Sequence, residues 1–233
     1  MKSYSLPLLF LPITRAVVQL EDPTMMGVLL RSIGWSIASF FALHVAIVAV
    51  IHRTIGQHGW LTWGADIVGS MAASLLTFWL FLPVAAAIGM LYADRIAAAV
   101  ERKFYPGLPP PNGAHVAEQV WDGIVVAVKV LILNVLALML AVLLPGLGII
   151  LAWMITAYAI GRGLFVAVAM RRMPRVVAES RYRSSRGVVL AQGGILALAA
   201  YIPVLNLIVP IIGVAAMVHV ADMAVSKAPA SGR

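Results

Sequence analysis

Cysteine is absent from the 233 residues. That excludes disulfides, thiolate metal ligands and a cysteine nucleophile. Charge is scarce: Asp, Glu, Lys and Arg together make up only 11% of the chain, and acids number nine against seventeen Lys and Arg. Motifs that carry chemistry are missing as well. No G-x-x-x-x-G-K-[ST] loop is present to cradle phosphates, no H-E-x-x-H to hold zinc and no G-x-S-x-G nucleophile elbow. No cofactor, metal or enzymatic activity is therefore expected. Hydrophobic residues, by contrast, reach 62% and mean hydropathy is +0.99. A soluble fold of this length could not cover that much apolar surface, so the chain reads as an all-α integral membrane protein.

The apolar residues fall into four blocks. The first two, Gly34 to Ile51 and Ile67 to Leu91 (with Pro83 inside), each approach the ~20 residues that cross ~30 Å of hydrocarbon. Both read as long transmembrane helices. The third, Ile124 to Met170, is too long for one crossing and is divided at Leu144-Pro145-Gly146-Leu147-Gly148. The fourth, Val188 to Ala221, is divided at Tyr201-Ile202-Pro203-Val204-Leu205-Asn206, and Pro210 follows. Two arms of about 15 residues reach roughly 22 Å each, short of a full crossing. The first arm of the third block, Ile124 to Leu144, is long enough to span. The paired interruptions form a weak internal repeat of the kind found at transport sites. Ordinary hairpins that cross the membrane fully explain the same spacing.

One membrane domain is expected over 1–233. It comprises an interfacial segment (1–27), two long helices (28–105), a linker (106–122) and a first hairpin (123–172). A basic loop (173–187), a second hairpin (188–223) and a tail (224–233) complete it. The N-terminal stretch, with Pro7, Pro12 and Arg15, fits an amphipathic segment on the membrane surface better than a signal peptide. Net charge is +8, and most of the cations sit beside apolar blocks. Arg171, Arg172, Arg175, Arg181, Arg183 and Arg186 crowd one loop, Arg95, Arg102 and Lys103 the linker, Lys2 and Arg15 the N-terminus, Lys227 and Arg233 the C-terminus. Only Arg53 falls opposite, so the positive-inside rule places both termini in the cytoplasm. Anionic headgroups suit the arginine-rich loop better than nucleic acid does, and no nucleic-acid partner is expected.

Ionisable residues inside apolar segments are the candidates for function. Lys129 lies two turns from the linker and can snorkel. Arg162, between Gly161 and Gly163, lies deeper and could line an anion pathway. His44 and His219 could relay protons or simply make one hydrogen bond each. Pro203 and Asn206 mark a break whose freed backbone groups, with the Asn amide, could line the path. Asn206 as a plain helix cap is the alternative. His115 and Glu118 share a helix face but lack a third metal ligand.

The stretch Tyr201-Ile-Pro-Val-Leu-Asn-Leu-Ile-Val-Pro-Ile-Ile-Gly-Val-Ala-Ala-Met-Val-His219 closely resembles the C-terminal signature of the CysZ-type sulfate permease family. Val100-Glu-Arg-Lys-Phe-Tyr105 before the proline linker, and Gly161-Arg162 leading to Met170-Arg171-Arg172, add to the likeness. The resemblance implies a bacterial inner-membrane protein that brings in sulfate for cysteine synthesis. It also implies two long helices plus two half-penetrating hairpins, assembled as homo-oligomers. One departure stands out. The family's Gly-Leu-Arg sulfate motif follows a proline at the entry to the first long helix, and here that stretch is Pro23-Thr24-Met25-Met26-Gly27, with no arginine before Arg31. Thr24, Gly27 and Arg31 are the candidate anion ligands by hydroxyl, backbone N–H and guanidinium. A non-transporting membrane scaffold or assembly factor on the same fold is the alternative function.

Overall fold

The computed structural model describes residues 6–55, 69–75, 77, 84 and 87–226. Among them every regular element is helical. Helix α1 (Leu6–Val18) leads through a single 3-10 turn at Gln19–Glu21 into α2 (Pro23–Ile55). At 33 residues α2 is about 50 Å long. It begins where proline is tolerated, at the first helical position, and Asp22 caps it: the Thr24 N–H donates to Asp22 Oδ1 at 2.9 Å. Its buried residues, Met25, Val28, Ser32 and Ser36, recur every three or four positions, so a single stripe faces the protein. The described residues between 69 and 91 are helical, and Pro83 lies outside the described residues.

Helix α3 (Ala93–Phe104) is amphipathic and buries Ile96, Ala97, Ala99 and Val100; the prolines after Tyr105 end it, as their lost N–H groups require. Helices α4 (Val116–Leu143) and α5 (Pro145–Met170) form the first hairpin, hinged at Leu144. After the short α6 (Arg175–Ser184), helices α7 (Arg186–Ala200) and α8 (Pro203–Ser226) form the second, hinged at Tyr201 and Ile202. Both hairpins are therefore broken where the proline sequences place the breaks. Helix α4 starts at Val116, inside the segment read as linker, because Glu118, Gln119 and Asp122 interrupt the hydropathy of its first two turns, so that hydropathy alone starts it too late.

The arms are unequal, which corrects the sequence arithmetic. Helix α7 has 15 residues and reaches about 22 Å. Helix α8 has 24, about 36 Å, because it starts at Pro203 within the break and runs past Ala221 to Ser226, with Pro210 inside it. Four described stretches are long and apolar enough to cross a membrane: Pro23–Val50, Val116–Leu143, Gly146–Met170 and Leu205–Val225. The chain is a multi-pass membrane protein.

Helix α8 is the axis of the fold. It touches α1, α2, α3, α5, α6 and α7, and its residues from Val209 to Val220 are buried except for Ile212. Helices α5 and α7 pack closest of all. A Cβ at Gly161 would stand 2.7 Å from the Val189 carbonyl oxygen, and one at Gly193 would stand 2.8 Å from the Gly161 Cα. Small residues at a helix crossing let two backbones approach in this way. The Trp153 indole N–H donates to the Gly194 carbonyl at 3.1 Å and fixes the register. Helix α4, by contrast, leaves most of its apolar surface outward, as a lipid-facing helix does.

Candidate functional site

The close approach at Gly161 positions the residue that follows it. Arg162 is only 4% exposed, yet its side chain bonds to two carboxylates. Its Nη1 and Nη2 donate to the two oxygens of Asp122 at 2.7 and 2.9 Å, and Nη2 donates also to Glu179 Oε2 at 2.7 Å. Asp122 comes from the second turn of α4 and Glu179 from α6, which folds back beside α5. Arg175 donates from its Nε to Asp122 Oδ1 at 2.8 Å. Asp122 thus accepts three hydrogen bonds from two arginines. A bidentate pair of this kind is the arrangement that can offset the cost of removing a guanidinium from water.

Beside this network lies a cavity of about 620 Å³ between α4, α5 and α8. Asp122, Gly163, Asn206, Val209 and Pro210 line it. Asn206 therefore shares a cavity with the carboxylate that holds Arg162. It is not the helix cap: its own N–H donates to the Ile202 carbonyl at 2.8 Å, inside the first turn of α8. Pro203 begins that turn.

A second charge cluster closes the same end of the molecule. Arg171 donates to Asp94 Oδ1 at 2.9 Å and to Glu101 Oε1 at 2.8 Å. Arg172 donates to Glu101 Oε1 at 3.0 Å and to the Pro109 carbonyl at 2.7 Å. The Ala114 N–H donates to the Met170 carbonyl at 2.8 Å. These bonds tie α3 and the proline linker to the end of α5. The Glu101 carboxylate holds the Arg172 guanidinium above its ordinary pKa. Nearby, burial raises the pKa of the Tyr105 phenol, with Asp222 adding to the effect.

Thr24, Gly27 and Arg31 fall on one stripe of α2, at steps of three and four residues. Thr24 and Arg31 are exposed, and a Cβ at Gly27 would meet nothing within 4 Å. The helix N-terminus beside them already carries the Asp22 carboxylate. The two candidate groups do not come together: α2, which carries Arg31 on its exposed surface, packs on α3 and α8, whereas Arg162 on α5 is buried against Asp122 of α4 and Glu179 of α6.

Other candidates find ordinary partners. Lys129 neither points free nor stands alone: its Nζ donates to the Tyr158 hydroxyl at 3.1 Å and lies 4.8 Å from that ring's centre. His44 Nδ1 is 3.3 Å from the Thr77 hydroxyl, which itself donates to the Ala73 carbonyl. His219 is buried, with the Tyr105 hydroxyl 2.8 Å from its Nδ1 and the edge of Phe104 against its ring. His115 and Glu118 are exposed at the start of α4.

Asp122, Arg175 and Glu179 escape a reading by hydropathy. A signal was present, however. Asp122 lies six residues into α4 and Arg162 eight residues before the end of the antiparallel α5, so the two sit at matching depth.

The family model described as "Sulfate transporter CysZ/Etoposide-induced protein 2.4" matches residues 13–210. The chain belongs to this family. Neither the curated proteins nor the solved structures contain a match. The matched region takes in α2, both hinges, the Arg162 network and Asn206.

Proposed function

We propose that this member of the CysZ family is a permease for sulfate or a similar oxyanion. In this reading it sits in the bacterial inner membrane as a homo-oligomer, keeps both termini in the cytoplasm and supplies sulfate for cysteine synthesis. The observation that carries the reading is the family match over residues 13–210. The buried guanidinium of Arg162 beside a cavity at the end of the hairpins supports it. Such a protein does no covalent chemistry. Its work is to replace an anion's hydration with donors and positive charge, weakly enough for release. Arg31 on the surface of α2 attracts the anion, with Thr24 and Gly27 on the same stripe. Arg162, Pro203 and Asn206 line the path, and the hairpins enter the bilayer without each arm needing to cross it.

Uptake of radiolabelled sulfate into liposomes holding the purified, folded protein tests this. Uptake above that of empty liposomes is expected, and loss of most of it in Arg31→Ala and Arg162→Ala. Uptake no greater than that of empty liposomes would overturn the sulfate reading. The scaffold reading draws on one specific observation: Arg162 is held by two carboxylates, as a structural clamp would be. It predicts that both alanine variants keep cellular function and that sulfate gives no thermal stabilisation.

A further inference from the structure

The two carboxylates on Arg162 are not equivalent. Asp122 is 8% exposed, sits within a spanning helix and is held by three hydrogen bonds from two arginines. The Glu179 side chain is 26% exposed, sits on a ten-residue helix outside the spanning segments and makes one short bond to Arg162. Its other oxygen reaches Arg183 Nε only at 3.7 Å, and Arg183 is itself 77% exposed. Arg175, Glu179 and Arg183 follow one another at i, i+4 and i+8, so the two arginines flank Glu179 along one face of α6.

We propose that the Glu179 carboxylate is a built-in stand-in for the transported anion. It occupies an oxyanion subsite made by Arg162 Nη2, with Arg175 and Arg183 on either side. A tetrahedral dianion enters this subsite by displacing Glu179 into water. This rests on the reading that the chain moves an oxyanion.

Two physical points support displacement of Glu179 rather than Asp122. First, freeing Glu179 returns a partly exposed carboxylate to solvent, while Asp122 stays on Arg162, so no buried guanidinium is left unpaired. Second, the charge balance selects the ligand. With Glu179 swung away, the three arginines around the subsite, Arg162, Arg175 and Arg183, are balanced by Asp122 alone, leaving two positive charges. A dianion such as sulfate neutralises them, whereas chloride leaves one uncompensated. The tethered carboxylate also sets a threshold, because an anion must outcompete a group already in place. That occupancy lowers the apparent affinity of the resting protein by the fraction of sites left open.

The test compares the full-length protein with Glu179→Gln and Glu179→Asp, each checked for monodispersity and helical content. Sulfate binding is measured by calorimetry and uptake in liposomes. Glutamine removes the competing charge, so sulfate affinity is expected to rise about fivefold or more, with chloride, which leaves one charge uncompensated, remaining the weaker ligand. The Glu179→Asp carboxylate is one methylene shorter, and an intermediate rise is expected; this variant carries the test should Glu179→Gln fail to fold. Sulfate transport by the unaltered protein, with affinity unchanged or weaker in both variants, would overturn the stand-in role alone. Sulfate neither bound nor moved by any of the three proteins would overturn the transport reading and this inference with it.

Discussion

A guanidinium that is 4% exposed in an apolar setting persists only because its charge is answered within hydrogen-bond distance. Asp122 does most of this, through the bidentate pair at 2.7 and 2.9 Å. Removing one partner of such a pair leaves an uncompensated buried charge, at a cost of about 3–5 kcal/mol. Asp122→Ala is therefore expected to lower stability by that order, read from denaturant or thermal unfolding in detergent. Asp122→Leu combined with Arg162→Met removes both charges and should recover much of the loss, since an apolar pair of similar volume needs no desolvation. Equal instability of the single and double variants would argue against the pair as the cause. Arg162 itself stood out in the sequence as a cation deep in an apolar arm. Its partners did not, because Asp122 lies 40 residues away and Glu179 lies 17 residues away across a loop. The arginine run after Met170 is likewise only partly a surface feature. Arg171, Arg172 and Arg175 reach internal carboxylates, and sequence spacing alone does not separate these from Arg181, Arg183 and Arg186.

Among the elements, the second hairpin is set by backbone contact rather than by large side chains. Helix α7 reaches α5 through Gly193 against Gly161, one residue from Arg162, so the packing of the two helices and the placement of the guanidinium are coupled. Gly193→Leu would drive a side chain into the α5 backbone. The expected cost is about 1–3 kcal/mol from overpacking, together with weaker sulfate stabilisation as Arg162 shifts. Thermal unfolding with and without sulfate measures both. Gly163→Ala makes the control, because a Cβ there meets nothing within 4 Å. The hinges themselves were legible from their prolines, which cannot continue the hydrogen-bond ladder of the preceding helix. Pro210, which the sequence already places within the second arm, lies inside α8 and packs where a Cβ on Gly89 would come within 2.8 Å. The second arm is 24 residues long rather than about 15 because α8 begins at Pro203, within the break, and runs past Ala221 to Ser226, so a short-arm argument for a half-penetrating hairpin holds for α7 alone.

At the scale of the whole molecule, the basic segments converge on one end. The Arg171 and Arg172 bonds bring together the end of α5, helix α3 and the proline linker, and a cavity of about 630 Å³ there is lined by Glu101, Arg172 and Asp222 near the end of α8. The hinge at Leu144 closes the opposite end of the first hairpin, 26 residues from the Arg171 cluster along α5, about 39 Å. The charge asymmetry legible in the sequence thus coincides with a geometric polarity, and the orientation proposed above puts the basic end in the cytoplasm. The lack of cysteine makes this directly testable, because any introduced thiol is the only one in the chain. Ser184→Cys lies on exposed α6 at the basic end, and Gly146→Cys on the exposed first hinge at the other. A membrane-impermeant maleimide added to intact cells should leave Ser184→Cys unlabelled until the membrane is opened. Labelling of Ser184→Cys in intact cells would invert the proposed orientation. The Gly146→Cys result then separates two arrangements that arm lengths leave equal. Labelling from outside means that α4 and α5 carry the hinge across the bilayer. Protection on both sides means that the hinge stops within it, and Arg162 would then be reached from the cytoplasmic end alone.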